Sequence, residues 1–265
     1  MLTAVEMKDL MTDLVVMAVG PVRLVELNRP EQLNAMSEEL HSGLASVWDD
    51  LAADPEARVV VLTGRGRAFS AGGNLDTMTR VQRDAAFREQ QVDEARRIIT
   101  GMVRCPLPVI AAVNGPAVGL GCSLALLSDL VLIADDAYVA DPHVQVGLVA
   151  GDGGAYVLPL LVGMTRAKEL LFLGDRVSAE DAVRLGIANR AVPKDKLMDE
   201  AMDLAGRLAA QPAQALHETK RAVNRHLEQA LDTVMEPALL AERDTMHGPD
   251  HIAAVERIIA SRGRR

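Results

Sequence analysis

The sequence predicts an α/β protein, and three observations carry that prediction. Short β-branched or apolar runs alternate with amphipathic stretches as far as about residue 175, the texture of strands interleaved with helices. Beyond Asp195 the chain holds no Phe, Tyr or Trp and is rich in Ala, Leu, Glu and Arg, which reads as helix throughout. With 265 residues, the chain is long enough for one large domain or two small ones at roughly 150 residues each. No repeat, low-complexity tract or Pro/Gly/Ser linker marks a boundary, so texture alone divides it into an α/β core over 1–194 and a helical C-terminal region over 195–265.

Taken in order, LVVMAV (14–19) and VRLVEL (22–27) flank Val19-Gly20-Pro21-Val22, a hairpin signal. Ser37 to Asp54 is amphipathic and reads as a helix. RVVVLTG (58–64) is the next strand, Asp84 to Val103 the next long helix, and PVIAAVNG (108–115) and DLVLIAD (129–135) are two further strands. In the tail, Pro212, Pro237 and Pro249 fall where helices are expected to start. Ala-rich helices with few bulky side chains bury little alone. The tail is therefore expected to pack on a partner subunit and to make an oligomer.

Composition excludes several classes of function. One Trp, two Tyr and three Phe leave almost nothing for base stacking, and a net charge of -9 repels phosphate backbones, so nucleic acid is not an expected partner. The most apolar region, Cys122 to Ala134, is broken by Ser128 and Asp129 and falls short of a membrane span. Glu6, Asp9 and Asp13 stand where a secretory leader would be basic and then apolar. Cys105 and Cys122 form neither a disulfide framework nor a CxxC pair. A cytoplasmic protein with no membrane partner is the expectation.

Two strand-to-loop-to-helix junctions carry the chemistry: VVVLTGRGRAFSAGGNLDTM (59–78) and VIAAVNGPAVGLGCSLALL (109–127). Each sets glycines between an apolar strand and a helix start, where backbone N–H groups lack partners and the helix dipole is positive. Tight turns and close packing account for glycines at a single junction; two junctions point further. Neither has the third glycine of a dinucleotide fingerprint, so a Rossmann site is rejected. Gly121-Cys122-Ser123-Leu124-Ala125 has the form of a nucleophile elbow with its last glycine changed. The order Ser123, His143, Asp152 does not follow that fold's order of serine, acid, histidine.

Three ordered segments carry a family resemblance: Asn28-Arg29-Pro30-Glu31-Gln32-Leu33-Asn34-Ala35-Met36, Ala68-Phe69-Ser70-Ala71-Gly72-Gly73-Asn74-Leu75, and Asn114-Gly115-Pro116-Ala117-Val118-Gly119-Leu120-Gly121-Cys122. They closely resemble successive motifs of the enoyl-CoA hydratase/isomerase (crotonase) superfamily, and the similarity runs through LGDRVSAEDAVRLGIANRAVP (173–193) into the tail. The resemblance implies a crotonase-like spiral of ββα units, a C-terminal helical trimerisation region, a homotrimer or homohexamer, and an acyl-CoA substrate, with coenzyme A entering as part of that substrate and no other cofactor. It places the two oxyanion-hole N–H groups on Gly73 and Leu120, the latter where relatives usually carry glycine. Leucine is compatible with a backbone donor but narrows the pocket. It also places substrate and CoA contacts on Gln32, Leu33, Asn34, Ala71, Gly72, Asn74, Leu75, Ser123 and Pro142. Asn74 reads equally well as a helix N-cap.

The departures matter most. The two positions where hydratases of this superfamily carry glutamates read Ser123 and His143. A serine hydroxyl is too weak an acid or base to replace a carboxylate unaided. In exchange, His143 stands nine residues before Asp152 in a Gly-rich loop, similar to the His/Asp dyad of the superfamily's carbon–carbon bond hydrolases of the 6-oxocamphor, or β-diketone, type. A histidine oriented by Asp152 is expected to titrate near neutrality and to move the proton; the bland alternative is a solvated loop histidine and a turn aspartate. His247 and His251 are four apart, but Pro249 intervenes and no metal is assigned. His217 and His226 read as solvent-facing, and Glu242 as either a solvated helix residue or a further carboxylate at the site. Three readings stay open: an acyl-CoA hydratase/isomerase, a β-diketone hydrolase, and a noncatalytic acyl-CoA-binding protein of the same fold.

Overall fold

The computed structural model describes residues 7–8 and 13–262; Glu6 and Asp9, two of the N-terminal acidic residues noted above, lie outside the described residues. A seven-stranded sheet forms the centre, in the order β1 (Met7–Lys8), β2 (Leu14–Val19), β3 (Val22–Leu27), β4 (Val59–Gly64), β5 (Val109–Val113), β7 (Leu130–Ala134) and β10 (Arg190–Val192). The first three strands pair antiparallel, β2 and β3 through the 19–22 hairpin, and β3, β4, β5, β7 and β10 run parallel. Every residue of β4 and β5 is buried, as expected of parallel strands covered on both faces. The family of folds expected from the sequence is the one observed, a mixed α/β core followed by helices.

A second sheet of three short strands, β6 (Ala117–Val118), β8 (Tyr138–Ala140) and β9 (Val177–Ser178), is what positions the site. β6 and β8 pair in parallel with Val118 opposite Ala140. Their C-terminal ends therefore deliver Gly119-Leu120 and Asp141-Pro142-His143 side by side. Isolated bridges extend the row: Ser70 pairs with Ala117, and Met36 with Gly73. Four segments distant in sequence thus meet along one edge. Gly72 is needed in that row. Its φ is +82°, and a Cβ there would lie 2.8 Å from the Val118 carbonyl oxygen, so both the backbone conformation and the approach of the next loop favour glycine.

Helices flank the sheet. The Ser37 hydroxyl caps α1 (Glu38–Ala53) by accepting the Leu40 N–H at 3.0 Å, and Asp84 caps α3 (Ala85–Arg104) by accepting the Phe87 N–H at 3.0 Å. Between them lies α2 (Leu75–Arg83), and α4 (Leu120–Leu127) is buried along its whole length. Helix α1 buries Leu40, Leu44, Val47, Trp48 and Leu51, each contributing roughly 1.5–3 kcal/mol of burial. It also buries His41 on that same apolar side.

After α5 (Gly154–Val162), α6 (Met164–Leu173) and α7 (Ala179–Arg184), the tail consists of α8 (Leu197–Ala209), α9 (Ala213–Ala230), a π-helical stretch over Leu231–Met235, α10 (Glu236–Thr245) and α11 (Pro249–Arg262). It does more than await a neighbour. Small residues at Ala201 and Ala205 are fully buried and let α8 pack on β4, β5 and β7, while α10 packs on α3, and α11 on α2 and the 143–146 turn. Only α9 buries no residue. Pro237 falls at a helix start as expected, at the second position of α10, which follows the π stretch directly. Proline cannot donate to the carbonyl one turn back, and the helix widens just before it without breaking.

Candidate active site

A cavity of about 310 Å³ lies where the 70–73 loop, the 118–120 junction, the 142–152 loop and helices α1, α2, α3, α10 and α11 converge. Its wall is largely apolar, with Met36, Met78, Val81, Val92, Leu239 and Met246. Ala71, Gly72, Gly73, Asn74, Leu75, Leu120, Pro142, His143 and Asp152 all line it. Gln32, Leu33, Asn34 and Ser123 stand behind or beside that wall. The buried Asn34 amide is spent inside the fold, donating to the Arg65 and Ala68 carbonyls at 2.9 and 2.8 Å and accepting the Arg29 N–H at 2.8 Å. Gln32 stays near the surface with Oε1 3.4 Å from the Asn74 amide nitrogen. Asn74 caps α2, its Oδ1 accepting the Asp76 N–H at 2.8 Å.

The N–H groups of Gly73 and Leu120 donate to no group among the described residues, and both residues line the cavity. Leu120 is the first residue of α4, so its N–H points out of a helix start. The imidazole lies against these loops: a Cβ on Gly119 would be 3.7 Å from His143 Cε1 and 3.9 Å from Nε2.

His143 is buried, and both of its ring nitrogens face carboxylates. Nδ1 bonds Asp141 Oδ1, and Nε2 lies 3.4 Å from Asp152 Oδ2. The orienting partner on Nδ1 is thus Asp141, two residues away and supplied by the end of β8, while Asp152 takes the other nitrogen. This changes the expected electrostatics. Burial works against a charged ring, but the negative charges of Asp152 and Asp141 outweigh it and hold His143 protonated well above the ordinary histidine range. Near-neutral titration does not follow from such a site. Burial of Asp152 favours its neutral form, yet the His143 charge, the His143 hydrogen bond and the Ser123 hydroxyl keep its carboxyl below the usual range. Ser123 Oγ donates to Asp152 Oδ1 at 3.2 Å and is buried. The serine holds the aspartate, whereas an elbow nucleophile would face the cavity.

The tail supplies a third group. Glu242 on α10 is buried in the cavity wall, with burial and the nearby Asp152 charge pushing its carboxyl far above the usual range. Its surroundings therefore favour the protonated carboxyl. One ligand atom each from His143, Asp152 and Glu242 lie within 4.8 Å of one another, the one such group among the described residues able to hold a cation. The charges of the carboxylates favour a protonated ring, and burial beside Asp152 favours a protonated Glu242. Two groups absent from the sequence reading also line the cavity: His41, and Gln91 from α3. His251 is buried there as well, its Nδ1 donating to the Val146 carbonyl at 2.7 Å. His226 is exposed as expected, whereas His217 is half-buried with an enclosed Nε2. The signal for His41 was its place on the apolar side of α1, among Leu40, Leu44 and Ala45.

Comparison with known proteins agrees with this architecture. The enoyl-CoA hydratase/isomerase family model matches residues 19–251. The crystal structure of an enoyl-CoA hydratase/isomerase from Mycobacterium paratuberculosis superposes with a TM-score of 0.92 at 47% identity, covering 94% of this chain and 99% of that one. The 1,2-epoxyphenylacetyl-CoA isomerase of Escherichia coli is 34% identical over 91% of this chain and 93% of its own length. The short-chain-enoyl-CoA hydratase of Clostridium acetobutylicum is 32% identical over 82% of each. Relatives named for different reactions share the scaffold at similar distance. In the described residues no helix is long and apolar enough to cross a membrane. Matched by the family model across most of its length and superposing on a solved member over nearly all of it, the chain belongs to the enoyl-CoA hydratase/isomerase family.

Proposed function

We propose that this protein is an enzyme that converts an acyl-CoA thioester through an enolate, by proton transfer of the hydratase/isomerase kind. The observation that carries the reading is the pair of unengaged N–H groups, Gly73 and Leu120, on a cavity wall beside His143. Removing a proton next to a thioester carbonyl moves negative charge onto its oxygen, and two fixed donors stabilise that charge most where it is largest. His143 and Asp152 hold one proton between them and act as a unit; that unit takes the proton from carbon or from water. The neutral Glu242 carboxyl returns one to the substrate. Two carboxylates therefore serve the site although neither glutamate position of the hydratase motif is acidic.

The CoA arm leaves along Ala71, Gly72, Asn74 and Leu75, with Gln32 beside Asn74 at the surface. Coenzyme A is part of the substrate in this reading, and no resident cofactor or metal is required. Assembly as a trimer or a dimer of trimers belongs to it too, supported by the exposed Leu160, Met164, Phe172 and Leu173 and by α9, which has no fully buried residue. A cytoplasmic location fits two buried, unpaired cysteines.

A second reading is favoured by the His143–Asp152 pair itself. In a β-diketone hydrolase, the pair deprotonates water, the hydroxide adds to one carbonyl, and the bond to the central carbon breaks. The electrons of that bond leave as an enolate held by Gly73 and Leu120, which then takes a proton. Turnover of crotonyl-CoA and of a cyclic β-diketone, measured side by side, separates the readings. Hydration of the thioester alone supports the first, cleavage of the diketone alone the second, and flat traces with retained CoA binding indicate a noncatalytic protein.

A further inference from the structure

The cavity holds a second histidine–carboxylate pair, remote in sequence from the 142–152 loop. His41 of α1 is 7% exposed and lines the cavity, and its Nδ1 lies 2.7 Å from Glu94 Oε2 on α3. Glu94 is gathered from three sides. Gln91 Nε2 donates to Oε2 at 3.1 Å and Gln90 Nε2 to Oε1 at 2.9 Å. Burial alone would push its carboxyl up, but the hydrogen bonds from His41 and Gln90 hold it below the usual range, so it is a carboxylate. An ionised carboxylate can only accept, so His41 Nδ1 carries the hydrogen and the ring orientation is set. The other nitrogen, Nε2, bonds no described residue and is absent from the polar atoms that are fully enclosed without a partner. It is the ring atom left for the cavity.

The surroundings make that nitrogen conspicuous. Val81, Val92, Ala95, Leu239 and Met246 share this wall, and a plain alkyl chain would bury them well. Such a chain would also strip water from a polar nitrogen and leave it facing hydrocarbon, which costs binding free energy.

We infer that His41, held by Glu94, is a specificity-determining residue that takes a hydrogen bond from or to an oxygen on the acyl portion of the substrate, so that this site selects oxygenated acyl groups over plain alkyl ones. The inference rests on the thioester reading above and adds the substrate class to it. The carbonyl next to sulfur is held elsewhere, at Gly73 and Leu120, so the oxygen recognised by His41 is a second one, a hydroxyl or keto group further along the chain. Gln91, also on the wall, steadies the carboxylate that steadies the histidine.

The test is binding and does not depend on turnover. Calorimetric titration compares saturated acyl-CoA esters of equal chain length, one series plain and one carrying a keto or hydroxyl group at successive carbons. The wild-type protein is expected to bind one oxygenated isomer about tenfold to a hundredfold more tightly than its plain counterpart. His41→Asn places an amide nitrogen near the Nδ1 position and nothing at Nε2; it should lose that preference. His41→Gln places a polar atom near Nε2 and should keep part of it. If removing the histidine leaves Glu94 unpaired and unfolds the helix pair, the double variant His41→Leu/Glu94→Leu replaces both partners with apolar groups, a change buried pairs often tolerate. It should bind plain chains as well as or better than oxygenated ones. Equal binding of all isomers by the wild type, or a preference unchanged in His41→Asn, overturns the assignment while leaving the thioester reading intact. Failure to bind any CoA ester overturns both.

Discussion

Two of the three histidines that line the cavity, His143 and His41, have partners that give them different chemistry. His143 has a carboxylate on each nitrogen, Asp141 and Asp152; His41 has one, Glu94, and keeps its second nitrogen for the cavity. A ring between two anions is held protonated and shares that proton with its neighbours, which suits proton transfer. A ring tied at one end presents a single fixed hydrogen-bonding atom, which suits recognition. Carboxylate placement, more than the presence of histidine, separates the two roles.

The largest effects should come from the oxyanion donors and the His143 cluster. Gly73→Pro deletes one of two N–H donors and should lower kcat about a hundredfold to a thousandfold. Gly73→Ala keeps the donor, and its Cβ would meet only the flexible Met78 side chain, 3.2 Å away at Sδ, so most of the rate should survive. Steady-state kinetics on both variants, with circular dichroism to confirm folding, check this. His143→Ala should cost about a hundredfold or more, and adding Asp152→Asn should make it little worse, because groups acting as one unit give non-additive losses. Losses that multiply would separate the two residues and weaken the contrast with His41.

The pH profile sharpens the comparison. Because the pair must accept a proton and His143 is held protonated, activity should rise towards the alkaline side, where loss of the shared proton frees the base. Asp141→Asn removes one of the two charges that raise the ring's pKa, so the rising limb should move to lower pH. An unmoved limb would assign it to another group. Ser123→Ala should be milder, within about tenfold, since it removes a single hydrogen bond to Asp152. A dead Ser123→Ala would return the chemistry to the serine.

How much of this was legible in the sequence depended on whether the signal was local. The strands at 14–27 and 59–64, the helices starting after Ser37 and Asp84, and the two glycine junctions each carry their own pattern and appear where that pattern places them. Pairing of His143 with Asp141 was present at a spacing of two residues but was hidden, because Asp152 offered a more familiar partner and only the β8 end shows which nitrogen each carboxylate meets. Glu242 was ambiguous for a different reason. Its sequence surroundings are those of a solvated helix; only the packing of α10 on α3 turns it inward. His41 and Glu94 lie 53 residues apart, and nothing local pairs them.

The smallest effect concerns stability. Glu242 keeps its proton in the fold at pH values where the unfolded chain has lost it. Folded protein therefore binds more protons above about pH 4.5, and stability falls with rising pH until the raised pKa is passed. Glu242→Gln removes that contribution, so thermal melts at pH 5 and pH 8 should differ less in the variant than in the wild type, by about 2–4 °C. An unchanged difference would mean that Glu242 is charged in the fold.

The central claim is that this cavity generates an enolate, and solvent-deuterium exchange reads it most directly. A saturated acyl-CoA incubated with the protein in D2O should gain deuterium at the carbon next to the thioester carbonyl. The rate should drop at least about a hundredfold in Gly73→Pro and in Asp152→Asn. A wild-type protein that binds the thioester yet exchanges no proton there, or variants that exchange as fast as the wild type, would contradict the account.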